Sequence, residues 1–166
     1  MSMHRPWARW AIALAIAVAA GCASPPRTAG PTDALSGPWS GRLALEVEEN
    51  QPQSFSAGFE LKGTATSGEL ALYNPLGATM AVLAWAPGSA RLLSNGQARE
   101  FESVESLVAH ATGAAIPVAA LFDWLRGIDT PVPGWKADLS LLGQGRLRAQ
   151  RLQPPPRADL RVVLER

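Results

Sequence analysis

The sequence predicts an α+β fold: a curved antiparallel β-sheet forming an incomplete barrel, with short helices covering its concave side or end. Three observations point to it. From residue 39 the apolar residues recur at period two, the signature of strands with one apolar face. Over residues 103–127 the period switches twice to that of an amphipathic helix, and strand-like alternation then resumes to the C-terminus. Strands, helices and strands in separate runs place the helices on one side of an antiparallel sheet, not between parallel strands. A sheet of about six to nine strands with one apolar face curls toward a half-barrel. Helices over its concave side would leave an apolar interior.

The elements follow in order. WSGRLALEV puts Leu43, Leu45 and Val47 on one face, with Arg42, Ala44 and Glu46 on the other. SFSAGFELK repeats the pattern, with Phe55, Ala57, Phe59 and Leu61 against Ser54, Ser56, Gly58 and Glu60. Residues 48–53 between them, EENQPQ, form a polar connector, and a meander is the simple topology. GELALY gives a third strand with Leu70 and Leu72 inward. TMAVLAWA gives a fourth, with Met80, Val82 and Ala84 on one side and Leu83 and Trp85 on the other. A strand apolar on both faces is fully covered or meets a ligand on one of them. ARLLSNGQAREF is a hairpin, because Asn95-Gly96 is a strong short turn signal.

In SVESLVAHATG, Val104, Leu107, Val108 and Ala111 share one helix face, with Ser103 as N-cap and Gly113 past the C-terminus. IPVAALFDWLRG starts a second helix near Pro117 and stops at Gly127, with Val118, Leu121, Phe122 and Leu125 apolar. DTPVPGW is a turn region. The remainder reads as two or three strands broken by QPPPR. In the last strand Leu160, Val162 and Leu164 alternate with Arg161, Val163 and Glu165.

The chain of 166 residues suits one domain, but its first 21 residues read as a leader. Arg5 and Arg9 are followed by WAIALAIAVAA, an apolar run too short for a membrane span of roughly 20 residues and suited to a signal peptide. VAAGC then ends in Cys22, the sole cysteine. The plain alternative for Cys22 is a buried free thiol. Its place at the end of the apolar run, before the Pro-, Ser- and Gly-rich ASPPRTAGPTDALSGP, favours a junction with a flexible tether. The expected organisation is therefore 1–21 cleaved, 22–38 tether and 39–166 folded domain. Losing Arg5 and Arg9 from the 15 basic residues leaves 13 against 14 acidic, a balance of −1 that does not suggest nucleic acid. The C-terminal Arg146, Arg148, Arg151, Arg157, Arg161 and Arg166 face only Asp159 and Glu165. That mildly basic end is a solvated strand face or a surface for acidic headgroups or an acidic partner.

No catalytic constellation is visible. His110, the only histidine after the leader, lies on the polar side of a short helix with no carboxylate at helical spacing to orient it, so it reads as a surface residue. One histidine with scattered carboxylates does not make a metal site, and there is no phosphate-binding glycine loop. No catalytic residue, cofactor or metal is expected. Glu48-Glu49 reads as a solvated turn. Trp85, Trp124 and Trp135 read as core or cavity lining, not as stacking platforms for bases.

The stretch LALYNPLG poses a sharper question. Asn74, Pro75 and Gly77 announce a turn after a strand, which leaves Leu76 at its tip. Such a leucine either folds back onto the core or is received by something outside the protein.

Taken together these segments resemble the LolB family of outer-membrane lipoprotein receptors. The resemblance runs over about residues 39–127. It rests on the lipobox-like VAAGC, the strand opening GRLAL, the NPLG turn, the NG hairpin, the helix, and GAAIPVAALFDWLRG with Ile116, Pro117, Leu121, Trp124, Leu125 and Gly127 in place. The C-terminal segments are more compressed than is usual for the family. The resemblance implies acylation at Cys22, and, with no Asp after that cysteine, anchoring at the periplasmic face of the outer membrane. It implies an incomplete barrel with a helical lid over a hydrophobic cavity. It implies that the protein accepts acylated lipoproteins from the periplasmic carrier LolA and releases them into outer-membrane lipid, without bond chemistry. Asn74, Pro75, Leu76 and Gly77 would be the membrane-insertion loop, with Leu76 protruding. By apolar pattern, Leu43, Leu45, Phe59, Leu61, Leu70, Leu72, Val82, Trp85, Trp124 and Leu125 are candidates for the acyl-chain cavity. A monomer with no nucleic-acid partner is expected. The alternative is a structural or interaction lipoprotein of the outer membrane with the same fold, a filled core and no transfer activity.

Overall fold

The computed structural model describes residues 37–48 and 53–165. The leader, Cys22, the tether as far as residue 36, and connector residues 49–52 lie outside the described residues. The described residues form a nine-stranded antiparallel sheet, not closed, with two helices. The strands are β1 (Trp39–Glu48), β2 (Gln53–Gly63), β3 (Gly68–Tyr73), β4 (Thr79–Ala86), β5 (Ser89–Ser94), β6 (Gln97–Phe101), β7 (Trp135–Asp138), β8 (Arg146–Arg151) and β9 (Arg157–Leu164). Helices α1 (Val104–Thr112) and α2 (Val118–Leu125) lie between β6 and β7. This is the α+β incomplete barrel that the alternation and the period switch predict.

The strand order is β6-β5-β4-β3-β2-β1-β9-β8-β7. Two meanders therefore meet where the last strand pairs with the first, Leu43 opposite Val162 and Leu45 opposite Leu160. The helical segment carries the chain from edge strand β6 to the opposite edge, β7, and so crosses the open side of the sheet. The C-terminal region supplies three strands, and the segment expected to be a plain turn ends at Trp135, where β7 begins.

Close backbone approach makes the central seam possible. A Cβ on Gly41 would lie 2.0 Å from the Val163 carbonyl oxygen, so β9 reaches β1 only over a glycine. Gly68 does the same for packing: a Cβ there would lie 2.6 Å from the Trp85 ring.

The register corrects one face assignment. Leu83 lies opposite Leu70 and Leu92, so Ala81, Leu83 and Trp85 face the helices. Val82 lies opposite Ala71 and Leu93 on the other face. The alternation in β4 was legible, but with apolar residues on both faces it did not say which face was inward. The outer patch remains partly open to solvent, Leu93 being 44% exposed.

Both helices end as their sequences dictate. Ser103 Oγ accepts the Ser106 N–H at 3.2 Å, and Gly113 takes a left-handed conformation (φ 72°) while its N–H reaches the Ala109 carbonyl. Helix α2 closes with paired bonds, Gly127 N–H to Trp124 O at 3.0 Å and Ile128 N–H to Asp123 O at 2.9 Å. This is the double closure that a left-handed glycine permits. Val104, Leu107 and Val108 of α1 are buried, as are Val118, Phe122 and Leu125 of α2. Ala111, assigned by periodicity to the apolar face, is exposed at the last turn of α1.

Candidate functional site

The space between sheet and helices is filled at one end and empty at the other. At the filled end Phe122 stacks edge-on between Trp39 (5.6 Å, 71°) and Trp85 (6.3 Å, 65°). The Trp85 indole N–H donates to the Thr64 carbonyl at 3.0 Å, which anchors the ring where its polar atom is satisfied. Trp124 is equally fixed, donating to the Thr130 carbonyl at 3.0 Å and packing on Trp135.

Beyond this plug lies a cavity of about 410 Å³. Its sheet wall includes Leu43, Leu45, Phe59, Leu61, Leu70 and Leu72, and α2 contributes Leu125. Among the pattern-derived candidates, Trp85 does not line it because it belongs to the packed Trp39–Phe122 end, and Trp124 does not because it packs on Trp135 of β7 instead. Val82 does not line it because it points to the other face. The structure adds residues that the pattern did not single out for the cavity: Phe55, Met80, Leu83, Leu92, Val104, Val108, Ile116, Val118, Leu121, Phe122, Leu160 and Val162. Their apolar faces were legible. That the helices stand over these strands was not, because the crossing from β6 to β7 is a tertiary fact. The few polar groups in the lining are Ser94, His110 and Thr112.

His110 is exposed, as its position on the helix suggests, yet it stands at this rim. Arg99 Nη1 donates to His110 Nε2 at 2.6 Å, and the ring lies 5.2 Å from that of Phe101. Among the described residues no carboxylate bonds to it. Among the described residues no group of three or more His, Cys, Asp or Glu side chains could hold a metal ion. Also among them, no helix is long and apolar enough to cross a membrane.

The turn between β3 and β4 grows from strand ends that line the cavity, since Leu72 and Met80 flank it on either side. Asn74 is its organiser. The side-chain Oδ1 accepts the N–H groups of Leu76 and Ala78, both at 2.9 Å, and its carbonyl accepts the Gly77 N–H at 2.9 Å. An Asn side chain that mimics a backbone turn in this way fixes the loop without help from the following side chains. Pro75 removes one donor, and Gly77 takes φ 82° with open space where a Cβ would be. Leu76 is 93% exposed on a loop whose conformation is set by its neighbours.

Fold and cavity define the class: an open α+β half-barrel whose concave side encloses an apolar cavity beneath two helices. Residues 38–154 match the family described as Outer membrane lipoprotein LolB. The "Outer-membrane lipoprotein LolB" of Bordetella petrii is 32% identical over 182 aligned positions, covering 93% of this chain and 90% of that protein. Its namesake in Bordetella parapertussis is 36% identical over 119 positions, 70% of this chain and 60% of that protein. That of Chromobacterium violaceum is 33% identical over 95 positions, 57% of this chain and 50% of that protein. The chain belongs to the LolB family of outer-membrane lipoproteins.

Proposed function

We propose that this chain is an outer-membrane lipoprotein, cleaved before Cys22 and anchored through it at the periplasmic face, with residues 22–38 as tether. Its folded domain accepts acylated lipoproteins from the carrier LolA and delivers them into the outer membrane, acting as a monomer and making no covalent bond. The observation that carries this reading is the junction of two features: the strands that line the apolar cavity extend into a hydrogen-bonded turn that holds a leucine in solvent.

The physics of the task explains both. An acyl chain gains about 0.8 kcal/mol per buried CH₂, so cargo crosses water only inside an apolar enclosure. Transfer then needs only a descending order of affinities from donor to cavity to bilayer. Burying one leucine in lipid contributes roughly 1.5–3 kcal/mol. That is too little to anchor a domain but enough to bias a loop toward the bilayer. A structural lipoprotein with a filled core would need neither the cavity nor the exposed Leu76.

The test is transfer of a labelled lipoprotein from LolA to the wild-type chain and to Leu76→Glu, followed by recovery of label in membrane. The variant should accept cargo normally and insert it poorly. Unchanged insertion would remove Leu76 from the mechanism, and no transfer by the wild type would favour the structural role.

A further inference from the structure

A second cleft, of about 360 Å³, opens on the outer face of the sheet at the foot of the Leu76 loop. Its floor follows from the register of β3, β2, β1 and β9, which aligns Tyr73, Gly58, Arg42 and Val163 in one row. Gly58 has no side chain, so the row is interrupted between Tyr73 and Arg42. The loop residues Asn74, Pro75 and Gly77 form the adjoining wall.

The cleft carries both signs of charge. Arg42 lines it, and so does Glu165, which is held beside β1 by its N–H bond to the Ser40 carbonyl at 2.8 Å. Among the described residues neither side chain has an ion-pair partner. Glu60 also borders the cleft but is engaged by Lys62 at 2.7 Å. On the neighbouring stretch of the same face, by contrast, Arg148 and Arg161 are both occupied by Asp159.

We propose that this cleft receives the head group of an aminophospholipid, with its phosphate on Arg42 and its primary ammonium on Glu165. The guanidinium fork suits a phosphate, and a carboxylate suits the N–H donors of a primary amine. The two charges of one zwitterionic head group answer the two opposite charges of the cleft. The loop wall places that head group beside Leu76, so apolar and polar parts of one lipid surface would be contacted together. This rests on the reading of Leu76 as directed to the bilayer.

The test needs no bilayer. The full chain is titrated with glycerophosphoethanolamine, glycerophosphocholine and inorganic phosphate while the Arg42 Nε–H resonance, assigned by its loss in Arg42→Gln, is followed. A saturable shift is expected with glycerophosphoethanolamine. Binding should be at least about threefold weaker for glycerophosphocholine, whose quaternary ammonium donates no hydrogen bond, and for inorganic phosphate. Glu165→Gln should erase that preference, and Gly58→Leu, which fills the gap, should abolish the shift. Absence of a saturable shift would overturn the proposal. Equal binding of inorganic phosphate would reduce the cleft to a simple anion site and overturn it too. Leu76→Glu should leave this titration unchanged while impairing insertion in the transfer assay, so the two readings fail separately.

Discussion

The two ends of the space under the helices are built from the same alternation and reach opposite outcomes. Where β1 begins, Trp39, Phe122 and Trp85 interlock and leave Phe122 1% exposed. Where β3 turns into β4, Leu72, Met80 and Ala81 line the space and a cavity of about 410 Å³ remains. The difference is one of interlocking and anchoring. Large aromatics, with Trp85 pinned through its indole N–H to Thr64, close the space at one end. At the other, side chains without a polar atom to fix them, Leu72, Phe55, Phe59 and Met80 among them, line it. An apolar face is thus a necessary condition for both a core and a cavity, and packing decides between them.

The comparison breaks most readily at the packed end. Phe122→Ala should cost about 3–5 kcal/mol, the usual range for deleting a buried phenylalanine, read as a lowered denaturant midpoint. A loss below about 1 kcal/mol would mean that this end collapses freely and is no plug. At the seam that joins the two meanders, Gly41→Val should cost about 1–3 kcal/mol or more by overpacking. The added carbon would meet the Val163 carbonyl, and hydrogen exchange should rise along β1 and β9.

At the open end the same kind of change should behave differently. Leu72→Trp adds bulk where space is empty, so its cost should stay below about 1.5 kcal/mol. Binding of a fluorescent fatty-acid probe should fall sharply. Retained probe binding would show that Leu72 does not bound the usable cavity.

Smaller still is the charge network on the outer face. The Arg148 guanidinium, and secondarily that of Arg161, holds the Asp159 carboxyl below its ordinary value despite partial desolvation. A carboxylate whose folded pKa is depressed stabilises fully above its unfolded pKa, near 3.9. That stabilisation is lost as pH falls through the lower folded value. Asp159→Asn should therefore cost no more than about 1 kcal/mol at neutral pH and flatten the acid limb of the unfolding curve. A steeper acid limb in the variant would refute the assignment. Smallest of all, Leu76→Ser should change stability by less than about 0.5 kcal/mol, since the turn is held by Asn74 and not by the leucine. A larger loss would mean that Leu76 packs against the domain.

Much of this was legible in the residues. Alternation located the strands from 39 to 101, and the caps at Ser103, Gly113 and Gly127 bounded both helices because capping is local chemistry. The turn at Asn74 was legible for the same reason. Val82 was misplaced because a strand with apolar residues on both faces has no local signal for which one is inward. Trp85 and Trp124 could not be separated from the cavity lining by pattern, because filling space and bounding it use the same apolar side chains.

What the sequence alone determined, then, is the set of elements, most of their apolar faces and the position of the NPLG turn, all governed by interactions within a few residues. Only the tertiary structure decided that β9 closes onto β1 over Gly41, that the helices cross from one sheet edge to the other, and that the space beneath them is full at Trp39, Phe122 and Trp85 and open beside Leu72. Those outcomes depend on which distant surfaces meet and how well their volumes fill the gap, and no local pattern records that.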